Sequence, residues 1–453
     1  MDDLDGIIDA LPIKFDFKLR ERQKNVIQLL LKKKDVLAIL PTGSERSAIF
    51  ALMPLIHDKL TPEGRNHTAI VISPLRALMT EQANRWFNAG INTCCILPEM
   101  KDEEKTAIMQ KGASLVFASP EALLDDDQPW RQLLRTYRKH VCLLAFDEGH
   151  CIAQEGEPDS GIYNYNYVEE LRGILTDVPT LVMTATLPAE QRSNVLKILH
   201  LNPKDTTTVA QNPDRPNVFL KFVERNKPGQ EGGNVPKWLQ DYVEELQQQG
   251  TKAPKAIMYC RHINTVTRIW GYMMASLGQR AWVTPGSKKP SDLIVEMYQC
   301  GMTMGCQERV VDRFTIDSNL RCIVATMPFA MGIEVPDVRY ILHWGLSSNI
   351  TDYWQEIGKC AVDGKPGVAL LYPAPSIGHT PTSSQTFKQL VLDIQDGKVT
   401  CMRAAFLSQL WLPEMGVQPV RSDANCDGLC AGQCRCNKCV CCSLCQSSCP
   451  CRK

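Results

Sequence analysis

Short apolar segments without polar alternation recur along this chain and constrain its fold more than any other feature. In the first half they lie at residues 69–72, 115–118, 143–146 and 180–183. Strands of this kind are buried on both faces, and the longer stretches between them read as helices. We therefore predict an α/β fold built on a parallel sheet.

A second block of the same kind follows a Gly- and Pro-containing stretch near residues 226–235. Its apolar segments lie at residues 256–259, 322–325, 340–343 and 368–371. Two blocks of similar size indicate a duplicated architecture. The predicted organisation is a loose leader (1–16), a first domain (17–212), a second domain (213–375), a linker with helices (376–425) and a Cys-rich tail (426–453).

The segment 40–47 separates a predicted strand from a predicted helix and contains Gly43. This is the setting in which backbone N–H groups and a helix N-terminus bind phosphate. Such loops end in Gly-Lys-Ser, with Lys on the β/γ-phosphates and Ser on Mg²⁺, whereas this chain has Glu45, Arg46 and Ser47. The candidate nucleotide ligands in the loop are Thr42, Gly43, Arg46 and Ser47.

A carboxylate pair, Asp147 and Glu148, follows the apolar segment 143–146 and is itself followed by Gly149 and His150. At the carboxyl end of a parallel strand, such a pair suits the binding of Mg²⁺ by Asp147 and the orientation or deprotonation of water by Glu148. Alone, the pattern is more often a solvated turn than a catalytic site. It gains meaning from the upstream loop and from the Thr-Ala-Thr sequence at residues 184–186.

Taken in order, these motifs resemble those of superfamily 2 helicases of the RecQ type. The similarity covers about residues 17–375 and rests on segments 19–23, 73–82, 118–121, 147–150, 184–186, 214–217, 259–261, 324–339 and 355–358. It implies two tandem RecA-like domains, ATP and Mg²⁺ as cofactors, and 3′-to-5′ unwinding of DNA. It also implies adenine contacts by Arg20 and Gln23, and catalytic roles for Asp147, Glu148, His150 and Gln355. The DNA contacts that it implies are Ser73, Arg76, Gln82, Ser119, Thr184, Thr186, Arg261 and Thr326.

The phosphate loop departs from the family pattern, which has Gly-Gly-Lys-Ser at positions 44–47. Glu45 adds bulk and negative charge where glycine lets the backbone approach phosphate. Arg46 keeps a positive charge, but its planar fork is larger than the compact ammonium of lysine. Loss of one well-placed phosphate contact costs on the order of 3 kcal/mol in the transition state, roughly a hundredfold in rate.

Two further departures lie outside the loop. The family has Arg-Ala-Gly-Arg after Gly358, and this chain has Lys359, Cys360, Ala361 and Val362, so the second arginine is lost. Such an arginine finger contributes about 10³–10⁵ in rate. The aromatic-rich loop after His150 also lacks its Gln-Trp-Gly start and its Phe-Arg. The tyrosines at 163, 165 and 167 there fit either base stacking or one face of a strand.

Half of the twenty cysteines lie in residues 426–451. In a reducing compartment such a cluster favours thiolate–metal sites over disulfides, and ten thiols exceed one tetrahedral site. The resemblance implies a zinc subdomain whose ligands would be Cys401, Cys426, Cys430 and Cys434. Tighter Cys-x-x-Cys pairs occur later, at 436/439, 439/442 and 442/445. A tail that binds any available soft metal is the alternative.

Composition excludes little. Lys plus Arg and Asp plus Glu both number 50, so the net charge neither supports nor excludes nucleic-acid binding, which needs only a local basic face. No apolar run approaches the ~18 residues of a membrane span, and the acidic N-terminus lacks the features of a signal peptide. We expect an intracellular, nuclear protein that binds DNA and does not bind a membrane. The sequence does not indicate protein partners.

Three functions are compatible with these observations. The first is a working ATP-driven helicase, and the second is a nucleic-acid-binding pseudo-helicase with weak or absent ATP hydrolysis. The third is a metal- or partner-binding protein that acts through its tail. Substitutions at residues 45, 46 and 362 fall in separate parts of one ATP site. Together they favour weakened or lost hydrolysis.

Overall fold

The computed structural model describes most of the chain. The described residues are 4–13, 18–61, 66–74, 76–97, 100, 103–104, 112–119, 122–123, 130–153, 168–223, 235–284, 286–287, 289–299, 301–316, 318–326, 335–373, 383–416 and 436–450. They form two compact units. The first contains the residues up to Pro213 and the segment that begins at Leu410, and the second contains the rest.

The first unit is a sheet of seven parallel strands with helices on both faces. Its strands are β1 (Val36–Ile39), β2 (Thr68–Ile72), β3 (Thr93–Ile96), β4 (Leu115–Ala118), β5 (Val141–Phe146), β6 (Thr180–Thr184) and β7 (Thr207–Ala210). Their spatial order is β3-β4-β2-β5-β6-β1-β7, and every pairing is parallel. All carboxyl ends therefore lie at one edge, where the loops carry the candidate site residues.

Helices cover this first sheet. They are α1 (Leu4–Asp9), α2 (Glu21–Leu31), α3 (Ser47–Leu60), α4 (Arg76–Asn88), α5 (Trp130–Tyr137), α6 (His150–Ala153), α7 (Val168–Ile174) and α8 (Ala189–Ile198). Successive residues of β1 enter different cores: Leu37 and Ile39 lie in one apolar cluster, and Val36 and Ala38 lie in the other. This two-sided burial explains why the strand sequences show no polar alternation.

The second unit contains a sheet of six parallel strands. They are β8 (Val218–Phe222), β9 (Lys255–Cys260), β10 (Val295–Tyr298), β11 (Cys322–Thr326), β12 (Val338–Trp344) and β13 (Gly367–Tyr372), in the order β10-β11-β9-β12-β13-β8. Its helices are α9 (Lys237–Gln249), α10 (Ile263–Leu277), α11 (Met304–Thr315), α12 (Ile350–Gly358), α13 (Gln385–Gln395), α14 (Met402–Leu410), α15 (Asn437–Cys441) and α16 (Ser443–Ser447). The predicted pair of α/β units with parallel sheets, followed by a helical Cys-rich segment, is confirmed.

The N-terminal segment differs from the loose leader that the sequence predicts. Leu4, Leu11 and Ile13 are buried in a core of the first unit. Lys24 of α2 also forms an ion pair with Asp5, at 2.8 Å. The apolar residues of this acidic segment are spaced so that a short helix and its following turn can bury them, which explains the difference.

The first unit also takes up residues from far along the chain. Leu412 and Met415 lie in the same apolar cluster as Leu199 and Ala210. Arg192 donates to Glu414 Oε1 at 2.6 Å. The sequence places this segment in a linker and gives no signal that it completes the core of the first unit.

Candidate functional site

The loop between β1 and α3 has the backbone of a phosphate-binding turn. Gly43 has a φ of 74° and Glu45 a φ of 49°, so both residues adopt the left-handed conformation that favours glycine. Glu45 therefore occupies a position at which a side chain is strained. Ser47 is the first residue of α3 and is buried.

The start of α2 supports this loop. The buried Gln23 amide donates to Ser44 O and to Glu45 O, both at 2.8 Å, and its Oε1 accepts from the Arg20 N–H at 2.6 Å. Arg20 Nη2 donates to Gly43 O at 3.1 Å. Both predicted adenine-reading residues thus hold the loop backbone, and both donors of the Gln23 amide are already engaged.

The carboxylate of Glu45 forms an ion pair with Arg85 of α4. Both side chains are about one-third exposed, at 31% and 33%. Arg85 thus partly neutralises the negative charge that Glu45 brings to the phosphate loop.

Arg46, which replaces the usual lysine, contacts the carboxylate pair. Its Nη2 donates to Glu148 Oε1 at 3.0 Å, and the two side chains are only 15% and 9% exposed. A buried pair of this kind is weakly screened by salt. The cation available for phosphate is therefore bound to the carboxylate expected to activate water.

Asp147 lies at the end of β5, where its N–H donates to Ile72 O at 2.9 Å. Its Oδ1 accepts from the Glu148 N–H at 3.0 Å. Burial and the adjacent Glu148 carboxylate raise the pKa of Asp147 to about 6, although Arg46 opposes the shift. A buried carboxylate whose charged form is disfavoured suits a site that gains a cation.

His150 links the carboxylates to β6. Its Nδ1 lies 3.4 Å from Glu148 Oε2 and 3.3 Å from Thr184 Oγ1, which donates to Thr186 O at 2.9 Å. Burial opposes protonation of His150, but contacts with Cys151 and Glu148 outweigh it and raise its pKa well above the usual value. The structure thus brings the catalytic candidates of β5 and the two threonines into one buried network.

Close packing beneath this network explains Gly149. Its N–H donates to Met183 O at 2.8 Å, and a Cβ built on it would lie 2.5 Å from Val182 Cγ1. The backbone therefore approaches β6 too closely for a side chain at this position.

Two family profiles match the chain. The DEAD/DEAH box helicase family matches residues 20–195, and the helicase conserved C-terminal domain matches residues 236–364. The ATP-dependent DNA helicase RecQ of Haemophilus influenzae is 30% identical over 361 residues, which cover 79% of this chain and 51% of that protein. The ATP-dependent helicase wrn-1 of Caenorhabditis elegans is 28% identical, over 81% of this chain and 32% of that protein. The chain belongs to the RecQ-type helicase family.

Solved structures agree on the fold. The DUF1998 helicase MrfA bound to DNA superposes with a TM-score of 0.62 at 14% identity, covering 83% of this chain and 48% of that one. The DEAD-box helicase Mss116, bound to single-stranded RNA, also gives 0.62, at 18% identity over 86% and 74%. This RecQ-type chain spans about a third to a half of the length of the curated relatives named above.

The candidate nucleic-acid contacts of the first unit follow its central strands. Ser73 follows β2 and Ser119 follows β4; both are buried, and Ser119 Oγ accepts from Ala122 N–H at 3.3 Å. Arg76 begins α4, and Gln82 of the same helix has a buried Oε1 with no hydrogen-bond partner among the described residues. The parallel strands place both serines at the sheet edge that carries Asp147.

The second unit positions the remaining candidates. Arg261 follows β9 and donates to Ser348 Oγ at 3.0 Å. Thr326 ends β11, buried, and Gln355 lies on α12. The predicted aromatic-loop tyrosines at 163, 165 and 167 lie outside the described residues.

The turn that carries Val362 is tightly held. Arg215 donates to the carbonyls of Gly358, Cys360 and Ala361 at 2.6, 2.9 and 2.9 Å. Asn217 Nδ2 also donates to Ala361 O, at 2.9 Å. The Asp-Arg-Pro-Asn segment thus fixes the position at which RecQ-type proteins carry their second arginine, and Val362 offers no donor there.

Sequence reasoning missed a buried polar cluster in the second unit. His343 Nε2 lies 2.7 Å from Glu356 Oε2, which also accepts from Ser347 Oγ at 2.6 Å. Tyr259 stacks on the His343 ring, with centroids 5.3 Å apart. The position of Glu356 directly after Gln355 was the available signal.

Cys401 lies in a cluster of thiols at the start of α14. Its Sγ and those of Cys441, Cys442 and Cys445 all lie within 4.8 Å of one another, and Cys401 Sγ is 3.7 Å from Cys441 Sγ. Four thiolates at this spacing fit a tetrahedral metal site, since Zn–S bonds of about 2.3 Å require S···S edges of about 3.8 Å. The other predicted ligands, Cys426, Cys430 and Cys434, lie outside the described residues.

No helix among the described residues is long and apolar enough to cross a membrane.

Proposed function

We propose that this RecQ-type protein binds DNA and nucleotide but hydrolyses ATP slowly or not at all. The observation that carries the proposal is the 3.0 Å ion pair between Arg46 and Glu148. It engages two groups of the ATP site with each other, so that neither is free for its own task.

The chemistry of the pair explains the loss. Glu148 must orient or deprotonate water, and a carboxylate bound to a guanidinium is a weaker base because the cation stabilises its charged form. Arg46 must divide its guanidinium between Glu148 and a phosphate, and its fork has a different shape and reach from those of lysine. Both requirements raise the barrier to hydrolysis.

Two further substitutions act independently. Glu45 is held by Arg85 yet keeps its Cβ in the turn, and Val362 supplies no cation where an arginine finger contributes about 10³–10⁵ in rate. Any one loss admits compensation elsewhere in the site. Three together favour a nucleic-acid-binding pseudo-helicase.

Part of the nucleotide site remains suitable. Ser47 at the start of α3 and the carboxylate of Asp147 offer the hard oxygen ligands that Mg²⁺ prefers. Mg²⁺ would neutralise phosphate charge there, while Thr42 and Gly43 would lie against the phosphates. We propose ATP and Mg²⁺ as ligands of lowered affinity.

DNA is the proposed partner. The RecQ protein of Haemophilus influenzae is an ATP-dependent DNA helicase, and the helicase MrfA is bound to DNA in its structure. We propose that strand-end residues of both units contact the nucleic acid. They are Ser73, Arg76, Gln82, Ser119, Thr184, Thr186, Arg261 and Thr326. We also propose a nuclear location, where the protein would meet chromosomal DNA, and tagging of the full chain would test it.

The decisive measurement is DNA-stimulated release of phosphate from ATP. We expect little turnover from the wild type, and a gain when Glu45→Gly, Arg46→Lys and Val362→Arg are combined. Glu148→Gln added to the triple variant should abolish that gain, whereas Glu190→Gln, an exposed change on α8, should not. Rapid DNA-stimulated turnover by the wild type would refute the proposal.

A role for the Cys-rich tail is the second candidate, favoured by the four-thiol cluster. We propose that Cys401, Cys441, Cys442 and Cys445 bind a structural Zn²⁺. The set Cys401, Cys426, Cys430 and Cys434 remains the competing prediction. If the tail carries the function, deleting residues 424–453 removes partner binding while the first α/β unit stays folded.

A further inference from the structure

A second group of thiols lies beside the four-thiol cluster in the sequence and shares no member with it. The Sγ atoms of Cys436, Cys439 and Cys449 all lie within 4.8 Å of one another. Cys439 and Cys449 are 4% and 0% exposed, and Cys436 is half-buried.

The geometry of this trio fits a metal ion. Cys436 Sγ and Cys449 Sγ are 3.5 Å apart, close to the edge of about 3.8 Å in a tetrahedron of thiolates around Zn²⁺. Cys436 and Cys439 have the Cys-x-x-Cys spacing that places two ligands on one turn. In contrast, Cys322 is a single cysteine that fills the core from strand β11.

The local fold holds the three sulfurs together. Cys436 caps α15, which contains Cys439, and Cys449 follows α16. Gln446 joins the two parts, since its Nε2 donates to Cys439 O at 3.4 Å and its O accepts from the Cys449 N–H at 3.2 Å. The three sulfurs are thus held close together by hydrogen bonds to backbone groups as well as by contacts between the thiols.

We propose that Cys436, Cys439 and Cys449 form a second metal site, separate from the four-thiol cluster. Three thiolates suit a borderline-soft divalent ion such as Zn²⁺ and leave its fourth position to water or an external ligand. The two groups use seven different thiols, so each ion has its own ligands. The proposal does not depend on nucleotide or DNA binding.

Zinc content of the full chain tests this site. After saturation with Zn²⁺ and removal of the excess, the double variant Cys439→Ser/Cys449→Ser should carry one ion per chain fewer than the wild type. Cys306→Ser, an exposed thiol on α11, should leave the content unchanged. An unchanged zinc content in the double variant overturns the proposal.

A measurement on the wild type keeps the test independent of variant folding. The chain is alkylated with and without Zn²⁺, and each cysteine is read by mass spectrometry. Saturating Zn²⁺ should protect Cys436, Cys439 and Cys449 together. Alkylation of these three at the metal-free rate, while Cys401 and Cys445 are protected, shows a single site and contradicts the proposal.

Discussion

Arg85 of α4 holds the carboxylate of Glu45 in the phosphate loop, although forty positions separate the two residues. The substitution that most disturbs the loop is thus accompanied by a cation that offsets its charge. The pair is about one-third exposed, so its effect is modest, about 0.2–1 kcal/mol.

Arg85→Ala should weaken binding of Mg²⁺ and a non-hydrolysable ATP analogue by roughly twofold to fivefold, because Glu45 then repels the phosphates without a counter-charge. In a Glu45→Gly background the same change should have little effect. Titration of all four proteins completes the cycle. Equal losses in both backgrounds would show that Arg85 acts by another route.

Asp147→Asn should stabilise the protein at neutral pH in Mg²⁺-free buffer. The pKa of Asp147 is raised from 3.8 to about 6, so the folded state binds the proton more tightly than the unfolded chain. The stability that the protonated Asp147 side chain contributes is therefore fully present below about pH 4 and is lost as the pH rises through about 6. The cost at pH 7.5 is on the order of 2–3 kcal/mol.

Thermal unfolding across pH checks this prediction. The melting-temperature gain of Asp147→Asn over wild type should be largest above pH 7 and should vanish near pH 4. Asp205→Asn, at an exposed turn of the same unit, serves as the matched control. A gain that is constant with pH would show that the effect is not electrostatic.

Gly149→Ala should destabilise the first unit by about 1–3 kcal/mol, because the new methyl group overlaps Val182 Cγ1. Val182→Ala should recover part of that loss, so the double variant should be more stable than the sum of the single losses predicts. Gly173→Ala is the control, since a Cβ there meets no atom within 4 Å. Denaturant unfolding measures all four variants.

Removal of metal from the four-thiol cluster should destabilise the second unit. Arg403 joins the cluster to the start of that unit, because it donates to Cys441 O at 3.1 Å and to Asp214 Oδ1 at 2.6 Å. Structural Zn²⁺ contributes about 10–16 kcal/mol of apparent binding energy in small zinc domains. A chelator should therefore lower the melting temperature of the wild type.

Two sets of variants then decide between the ligand assignments. Cys401→Ser with Cys445→Ser should reproduce the chelator effect, and Cys306→Ser should not. Combined replacement of Cys426, Cys430 and Cys434 should leave the melting temperature unchanged if the four-thiol cluster binds the ion. A drop of the same size in that triple variant favours the set predicted from sequence.

The sequence predicted the sheets well because strands such as β2 and β5, buried on both faces, require continuous apolar residues. The sequence did not predict the order of the strands or the partners of individual side chains. The resemblance predicts that Gln23 reads adenine, and the structure adds hydrogen bonds from its amide to two carbonyls of the loop, a contact that depends on how α2 packs. The pairing of Arg46 with Glu148 likewise arises only when β1 and β5 lie in one sheet.

The cysteine assignments show the same limit. Spacing and family resemblance identified Cys401 as a candidate ligand, and the structure gathers three further thiols around it. Ten cysteines in the tail allow many sets of partners, and spacing alone does not select among them. Nothing in residues 410–416 signalled that Leu412 and Met415 belong to the first unit, because an apolar residue fits either core.

The return of the chain to the first unit at Leu410 also limits where the protein or its gene can be cut and recombined. The first unit is not encoded by one uninterrupted stretch, since Leu412 and Met415 complete its core after the second sheet has been made. A premature stop or a recombination breakpoint between residues 214 and 409 would deprive it of its own residues. Ribosomal synthesis must likewise reach residue 415 before the first unit can close its core, so neither half can be exchanged as a separate cassette.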